Sequence, residues 1–555
     1  MMKIGENGSM QTKYTHYFLW IYMAVMAAVS IYIYGIILKA NGDNVEHLHT
    51  SWMIWMGHIP YKDFFQHHNP LMWYLSAPLV ASLIYNPNIF SIFNIIGIGA
   101  LYLIALYQSK LYFMEEKNKT AALFLAAILV SAYSLLWSTD YRPDTFMFAT
   151  YYMGMYYLFL YINNNRCKTL VISFLCFFFS FMFTQKVLMH LVIPGFAVIY
   201  WLINGKMNFK HLIYASIAPL IMLIMFIGYF YHHDALDVYW RSNYYFNTYI
   251  PKIFEEQRII FPPKEYIDFY VFLPIGTVAS IYLLFKGNTF ERIFSLMFIL
   301  ETFIRMLYFS AFLHYVIFWL MTAIMLSVIF LGKPFKYNKI FMTAYVIYII
   351  GALAYTFLAS GNPALAKYIT VICLALGVAT LAIFLLFKVN FNVFLSAITI
   401  IYLFFMGYYN YASTYKSEIK SYNTVSGHDL SFKVLTPCDY ALNGYYATYN
   451  LRAQDPGYYA ILLGQIDVLG EKAGIRKKDD LNELIRQKMP KIVSAGIFWN
   501  TYWEQRGKKI PVHKIDEYLL NTYYEPTGVG DLFILKPQYQ KHNCVYNGKD
   551  WRFMD

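Results

Sequence analysis

The sequence predicts a polytopic α-helical membrane protein with about thirteen transmembrane helices, followed by a small C-terminal α/β domain. Three observations carry this prediction. Hydrophobic residues make up 59% of the chain and charged residues 14%, against about a quarter charged in ordinary soluble domains. The hydrophobic residues come in runs long enough for hydrocarbon, which takes about 20 residues per helix, without the alternation of an outer-membrane barrel. From about Ala412 the composition changes: Lys, Asp, Gly and Asn return, and no later run could cross a bilayer. Backbone groups in lipid must be satisfied within their own segment, so the spans should be helices.

The spans fall at about 17–38, 89–112, 120–137, 145–162, 169–184, 187–204, 211–231, 269–286, 293–310, 313–331, 340–358, 368–387 and 391–411. The run Tyr17 to Leu38 is too long for a signal-peptide core and ends in no small-residue cleavage site, so it reads as a retained span. The run 71–85 reads either as a further span or as a re-entrant or interfacial helix. Orientation follows from Lys and Arg. With the N-terminus in the cytoplasm, fifteen of these cations fall on that side and nine in the opposite loops before the C-terminal domain. An odd number of spans then puts Asp43 and residues 412–555 outside the cytoplasm. The chain thus divides into a membrane module, 1–411, with an external loop at 39–70, and an external α/β domain, 412–555. In that domain 478–486 is predicted as a helix with acidic N-terminal residues that suit its dipole. Residues 491–495 and 531–535 are predicted as short buried strands.

The net charge of +12 suits anionic lipid or a phosphate-bearing substrate. No nucleic-acid motif is visible, and basic loops facing lipid account for the charge as well. The five cysteines form no CxxC; only Cys438 and Cys544 lie in the polar C-terminal part, which allows one disulfide there.

The richest segment is 41–77, with three carboxylates, five histidines and three tryptophans directly after the first span. A helix over 43–56, lying at the interface, would put Asp43, Glu46 and His47 on one face by i, i+3, i+4 spacing. Trp52 and Trp55 would anchor it at headgroup depth. A carboxylate held there can take a proton from an attacking hydroxyl or amine; the plain alternative is a pair of solvated loop acids. Asp43, Glu46 and the histidines fit no standard metal spacing, which leaves a divalent ion neither indicated nor excluded.

Asp43, then Gly57, then Pro60-Tyr61-Lys62-Asp63-Phe64-Phe65-Gln66-His67-His68-Asn69-Pro70-Leu71 resembles the first external loop of bacterial GT-C glycosyltransferases. The resemblance is to family 39, which includes protein mannosyltransferases and lipid A aminoarabinose transferases. That family has a first-loop aspartate often followed by glutamate, a G-x-x-P-Y-x-D-F segment and an H-P-P-L-like ending. Here Asn44 stands in place of the adjacent glutamate and Asn69 in place of the first proline, which puts in question whether Glu46 takes over the missing acid.

Three further segments resemble the family in order. Ser138-Thr139-Asp140-Tyr141-Arg142-Pro143-Asp144 resembles its R-P-D element: Arg142 suits bidentate phosphate binding, and Asp144 would fix Arg142 or serve as a second acid. A locally paired turn is the alternative. Lys186 lies where the family often carries a lysine, with a snorkelling interfacial lysine as the alternative. Glu301 and Arg305, four residues apart in a predicted span, carry intramembrane charge, which suggests function or a structural pair. His314-Tyr315 resembles an H-Y pair leading into the next span. The loop 232–268 is rich in aromatics and holds Arg241, but an interfacial aromatic belt explains it equally well.

The resemblance implies an inverting transferase of the bacterial inner (plasma) membrane. It would move a sugar from a polyprenyl-phosphate donor to a glycolipid, polysaccharide or protein acceptor on the external face, without a metal for the chemistry. Asp43 would be the general base, with Glu46 and Asp144 as further catalytic acids. Asp63, His67, His68, Arg142, Lys186, Arg305, His314 and Tyr315 would bind substrate. A polysaccharide polymerase or ligase is the second reading, although its chemistry would be expected in a later, larger loop. A transporter or flippase of lipid-linked sugar is the third; it would favour repeats and broken helices, and no repeat is visible.

Overall fold

The computed structural model describes residues 4–32, 42–84, 86, 88–131, 141–248, 267–307, 317–331, 430, 433–442, 453, 455, 457–459, 465–494, 502–505, 508–511, 514–529, 532–540, 544–546 and 551–553. The predicted spans 340–358, 368–387 and 391–411, and the boundary at 411/412, lie outside the described residues.

The helical body begins with α1 (Ile4–Ser30), α2 (Gly42–Trp55), α3 (Leu71–Leu83), α4 (Ile89–Glu116) and α5 (Lys119–Ser131). It continues through α6 (Pro143–Asn164), α7 (Cys167–Phe183), a single turn α8 (Val187–His190), α9 (Val192–Ile203) and α10 (Phe209–His232). A short α11 (Leu236–Trp240) runs into a π-turn, and α12 (Ile267–Lys286), α13 (Thr289–Leu307) and α14 (Ile317–Leu331) follow.

Apolar character all round a helix marks either a core helix or one in lipid, and the body holds both kinds. In α5 every residue from Ala121 to Ser131 is buried. In α10 only 6% of the most apolar stretch is buried within the protein, and Ile213, Leu220, Ile224 and Met225 are exposed. Such an apolar exterior is stable only against lipid. At 1.5 Å per residue, α4 and α10 exceed the roughly 30 Å hydrocarbon thickness, and these two are long and apolar enough to cross by themselves among the described residues.

Several boundaries differ from expectation. The first helix starts at Ile4 rather than near 17, because a helix satisfies its own backbone and need not stop where hydrophobicity does. The run 71–85 is a helix of 13 residues, about 20 Å long and too short to cross alone; it packs on α2, where Ser51 Oγ and Ser76 Oγ lie 2.8 Å apart. The expected span 187–204 is broken at Leu191 into α8 and α9.

Local chemistry sets the helix ends near the site. Pro143 occupies the first turn of α6, where its missing N–H costs nothing, with Arg142 extended at the N-cap and Asp144 in the first turn. Asn165 closes α6 in the left-handed conformation, its N–H bonded to the Tyr161 carbonyl. The α6–α7 hairpin is tight at Gly154, whose carbonyl accepts from Ser173 Oγ at 2.8 Å. A Cβ built at Gly154 would meet the Phe177 ring at 2.7 Å. Gly154→Leu is therefore expected to cost about 1–3 kcal/mol of overpacking, read as a lower unfolding midpoint in detergent; an unchanged midpoint would show the hairpin can open freely.

The C-terminal elements form a four-stranded sheet, order β1-β2-β6-β5. Here β1 (Ala441–Leu442) pairs parallel with β2 (Ile492–Ser494), while β5 (Tyr524–Pro526) and β6 (Leu532–Leu535) pair antiparallel. Two further hairpins, β3 (Tyr502–Gln505) with β4 (Lys508–Pro511) and β7 (Cys544–Tyr546) with β8 (Trp551–Phe553), stand apart from it. The expected strands are β2 and β6, in register with Val493 opposite Phe533. Helix α15 (Gln465–Lys472) precedes α16 (Leu481–Lys488), the expected acidic-capped helix: Asp480 accepts from the Asn482 and Glu483 backbone N–H groups. Helix α17 (Glu517–Tyr523) leads into β5. Cys438 is disulfide-bonded; the side chain of Cys544 lies outside the described part.

Candidate active site

The site is built on α2 and the segment that follows it. Helix α2 covers the expected residues, but it does not lie on a surface: every residue from 44 to 53 is buried. Trp52 is 2% exposed and stacks on His49, whereas Trp55 is 56% exposed. Of the two expected interfacial anchors, then, Trp52 is a core residue. The reason is packing on both sides: Asn44 Nδ2 donates to Asn94 of α4, while α3 covers the Ser51 side.

After α2 the chain turns sharply. Gly57 sits at φ +94°, a backbone region that glycine adopts without a Cβ clash. Tyr61 is left-handed at φ +70° and is held there by its own N–H on the Phe64 carbonyl and its hydroxyl on the His68 carbonyl. Burial pushes the Tyr61 phenol well above the usual tyrosine range, so it stays a donor. Its ring is edge-on to Phe230 and Tyr239 at 5.3 and 5.2 Å. Asp63 is exposed and accepts from the Ile59 N–H at 2.6 Å, so its carboxylate shapes this turn.

Residues 65–70 then run beside α2. Gln66 Nε2 donates to Glu46 Oε1 at 3.2 Å and to Thr50 Oγ1 at 2.7 Å. Glu46 is thus a buried, hydrogen-bonded acid, not a solvated one. Trp73 Nε1 donates to His47 Nδ1 at 3.2 Å; an indole N–H can only donate, so His47 Nδ1 carries no proton. The His67 and His68 rings lie 4.2 Å apart, and His68 lies 6.0 Å from His47. Asp43 belongs to α2 one turn before His47; its side chain lies outside the described part.

The same segment joins the helix break at 184–191 to the π-turn. Gln185 Nε2 donates to the carbonyls of His67 and Asn243 at 3.1 and 2.9 Å, and Asn247 Nδ2 adds a 3.0 Å bond to His67. Asn69 Nδ2 donates to the Phe181 carbonyl and accepts from the Tyr239 hydroxyl at 2.8 Å. Lys186 therefore stands next to loop one. Its Nζ lies 3.1 Å from Asp144 Oδ1, giving Asp144 a lysine partner in addition to the expected role beside Arg142. One turn on, His190 Nδ1 lies 2.5 Å from Glu301 Oε1, and its ring stacks on Phe318 at 4.2 Å. Glu301 is thereby paired across helices. The side chain of Arg305, and residues His314 and Tyr315, lie outside the described residues. Arg241 bonds Asp237 at 2.8 Å and the Gly474 carbonyl at 3.0 Å.

Sequence reasoning missed Gln66, Trp73, Gln185 and His190. His190 had a signal, since a titratable residue four positions from Lys186 inside an apolar run is costly. The amides had none, because their partners lie outside the local sequence: Glu46 and Thr50 for Gln66, and the His67 and Asn243 carbonyls for Gln185. Among the described residues no group of three or more His, Cys, Asp or Glu could hold a metal ion.

Among solved structures, the chain is similar to ArnT from Cupriavidus metallidurans in the apo state, at 12% identity and a TM-score of 0.55, over 89% of this chain and 96% of that one. The fold is that of ArnT. ArnT bound to undecaprenyl phosphate matches at 12% identity and a TM-score of 0.55, over 88% of this chain and 97% of that one. The expected likeness to the aminoarabinose-transferase type of GT-C protein thus holds at the level of the fold. The ArnT likeness also reaches past the helical body, since such coverage is not attained without part of residues 412–555. No family profile and no curated protein matches the sequence.

One prediction concerns pH. Burial, with His49 nearby, holds His58 below its ordinary value of 6.5, although Asp63 and Asp455 act the other way. As pH falls through 6.5 the unfolded chain takes up this proton before the folded one does. His58 therefore lowers stability on acidification. His58→Gln is expected to make the unfolding midpoint in detergent fall less between pH 7.5 and 5.5 than in the wild type; parallel profiles would remove His58 as a contributor.

Proposed function

We propose that the chain is an inverting glycosyltransferase of a bacterial inner membrane that uses a polyprenyl-phosphate sugar on the external face. The observation that supports this most is the convergence of an acidic helix and a lysine on one segment. Glu46 reaches Gln66, the His67 carbonyl reaches Gln185, and Lys186 follows in the chain. A base and a phosphate-binding cation on adjacent walls are what transfer from a lipid phosphate needs. The ArnT fold, seen in another protein with undecaprenyl phosphate bound, is consistent with such a donor.

In the proposed reaction the acceptor hydroxyl or amine attacks the anomeric carbon. Asp43 takes the proton from the attacking group. The bond from the anomeric carbon to the phosphate oxygen breaks, and the polyprenyl phosphate leaves with the electron pair. Arg142, Lys186 and Arg305 offset the charge that builds on it. His67, His68, His314 and Tyr315 line the substrate path, and Asp63 holds its turn. A single displacement inverts the anomeric carbon. Within this reading residues 1–411 are the membrane module of about thirteen spans, with a cytoplasmic N-terminus. Residues 412–555 are an external domain, and the acceptor is a lipid, glycan or protein.

The test is sugar release from a panel of labelled polyprenyl-phosphate sugars by the purified wild type and by Asp43→Asn. Release that collapses in the variant supports the proposal and names the donor. A folded wild type that moves lipid-linked sugar across proteoliposomes without forming product would replace it with the transporter reading.

A further inference from the structure

We infer that Asp455 is a positioning residue for the base-bearing helix, so that the C-terminal unit is part of the active-site frame. This rests on the reading of α2 as the carrier of the base. His49 Nε2 lies 3.2 Å from Asp455 Oδ2, with side chains 0% and 2% exposed, across 406 residues of sequence. His49 is three residues beyond Glu46 on α2 and so flanks the face shared by Asp43, Glu46 and His47. The pair therefore holds the helix along the edge of that face.

Neighbouring contacts reinforce the grip. The Phe65 N–H donates to the Tyr458 carbonyl at 2.8 Å, and the Tyr458 hydroxyl donates to the Tyr61 carbonyl at 2.8 Å. Arg476 lies over the Tyr458 ring at 4.5 Å. Phe65 and Phe246 share one buried cluster with Tyr458, Tyr459, Ile475 and Leu481. The contacts thus reach α2 and the segment that carries Gln66, His67 and His68. A misplacement of about 1 Å can cost roughly 100-fold in rate.

The experiment uses the full chain in detergent. Asp455→Asn is expected to lower kcat for sugar release at least about tenfold with donor KM unchanged, and Asp455→Glu to recover part of the loss. Lys491→Met breaks the 3.1 Å Lys491–Asp439 pair inside the C-terminal unit and serves as the control, retaining kcat. Amide hydrogen exchange over residues 44–55 is expected to rise in Asp455→Asn and not in Lys491→Met. Equal kcat losses in both variants, an unaltered kcat in Asp455→Asn, or unaltered exchange would each overturn the inference. If the wild type releases no sugar at all, the proposed function fails, and the exchange measurement still decides whether Asp455 holds α2.

Discussion

Asp43→Asn is expected to lower kcat for sugar transfer by about 10²–10⁴-fold, the usual contribution of a positioned general base, and to leave donor KM nearly unchanged. The substitution is isosteric and removes the negative charge while leaving α2 helical. Because a polyprenyl phosphate is already a good leaving group, the base acts on the incoming nucleophile, and its loss belongs to the transition state. Asp43 is favoured over its neighbour because Glu46 is buried with an oxygen engaged by Gln66. Asp144 is likewise occupied by Lys186. Survival of activity would move the base to Glu46 or Asp144, in that order. A covalent glycosyl–enzyme trapped on Asp43 would sink the single displacement altogether.

The second large effect is expected at Lys186. Its pair with Asp144 is mostly withdrawn from solvent, at 18% and 9% side-chain exposure. Removing one partner of a buried pair costs about 3–5 kcal/mol, and the residual exposure brings the expectation toward the lower end. Lys186→Met should therefore unfold at a distinctly lower temperature and also bind donor more weakly. The two roles separate in the double variant: adding Asp144→Asn removes the carboxylate that faced Lys186 and should restore part of the stability. If Lys186 only balanced Asp144, donor KM would recover with it. If Lys186 holds the lipid phosphate, KM stays high in a stable protein, as measured by thermal unfolding beside donor titration.

Much of the fold was legible because hydrophobic periodicity is local. The helices over 89–116, 143–164 and 209–232, the acidic-capped helix from Leu481 and the strands at Ile492 and Leu532 all follow from neighbours within a few residues. What misled was equally local. Trp52 looks like an interfacial anchor, yet it is buried against His49, because the covering elements come from elsewhere in the chain. The run 187–204 reads as one apolar span, but the helix is broken at Leu191, three residues before Pro194, whose ring carries no N–H to continue the helix ladder.

By itself, the sequence determined the membrane class, the helical placement of Asp43, Glu46 and His47, and the loop string from Pro60 to Leu71. These depend on composition and on spacings shorter than two helical turns. Only the tertiary structure decided the buried polar pairs: Lys186 with Asp144 across 42 residues, His190 with Glu301 across 111, and His49 with Asp455 across 406. A buried polar group takes whatever partner packing brings within reach, and packing at those separations leaves no periodic trace in the chain.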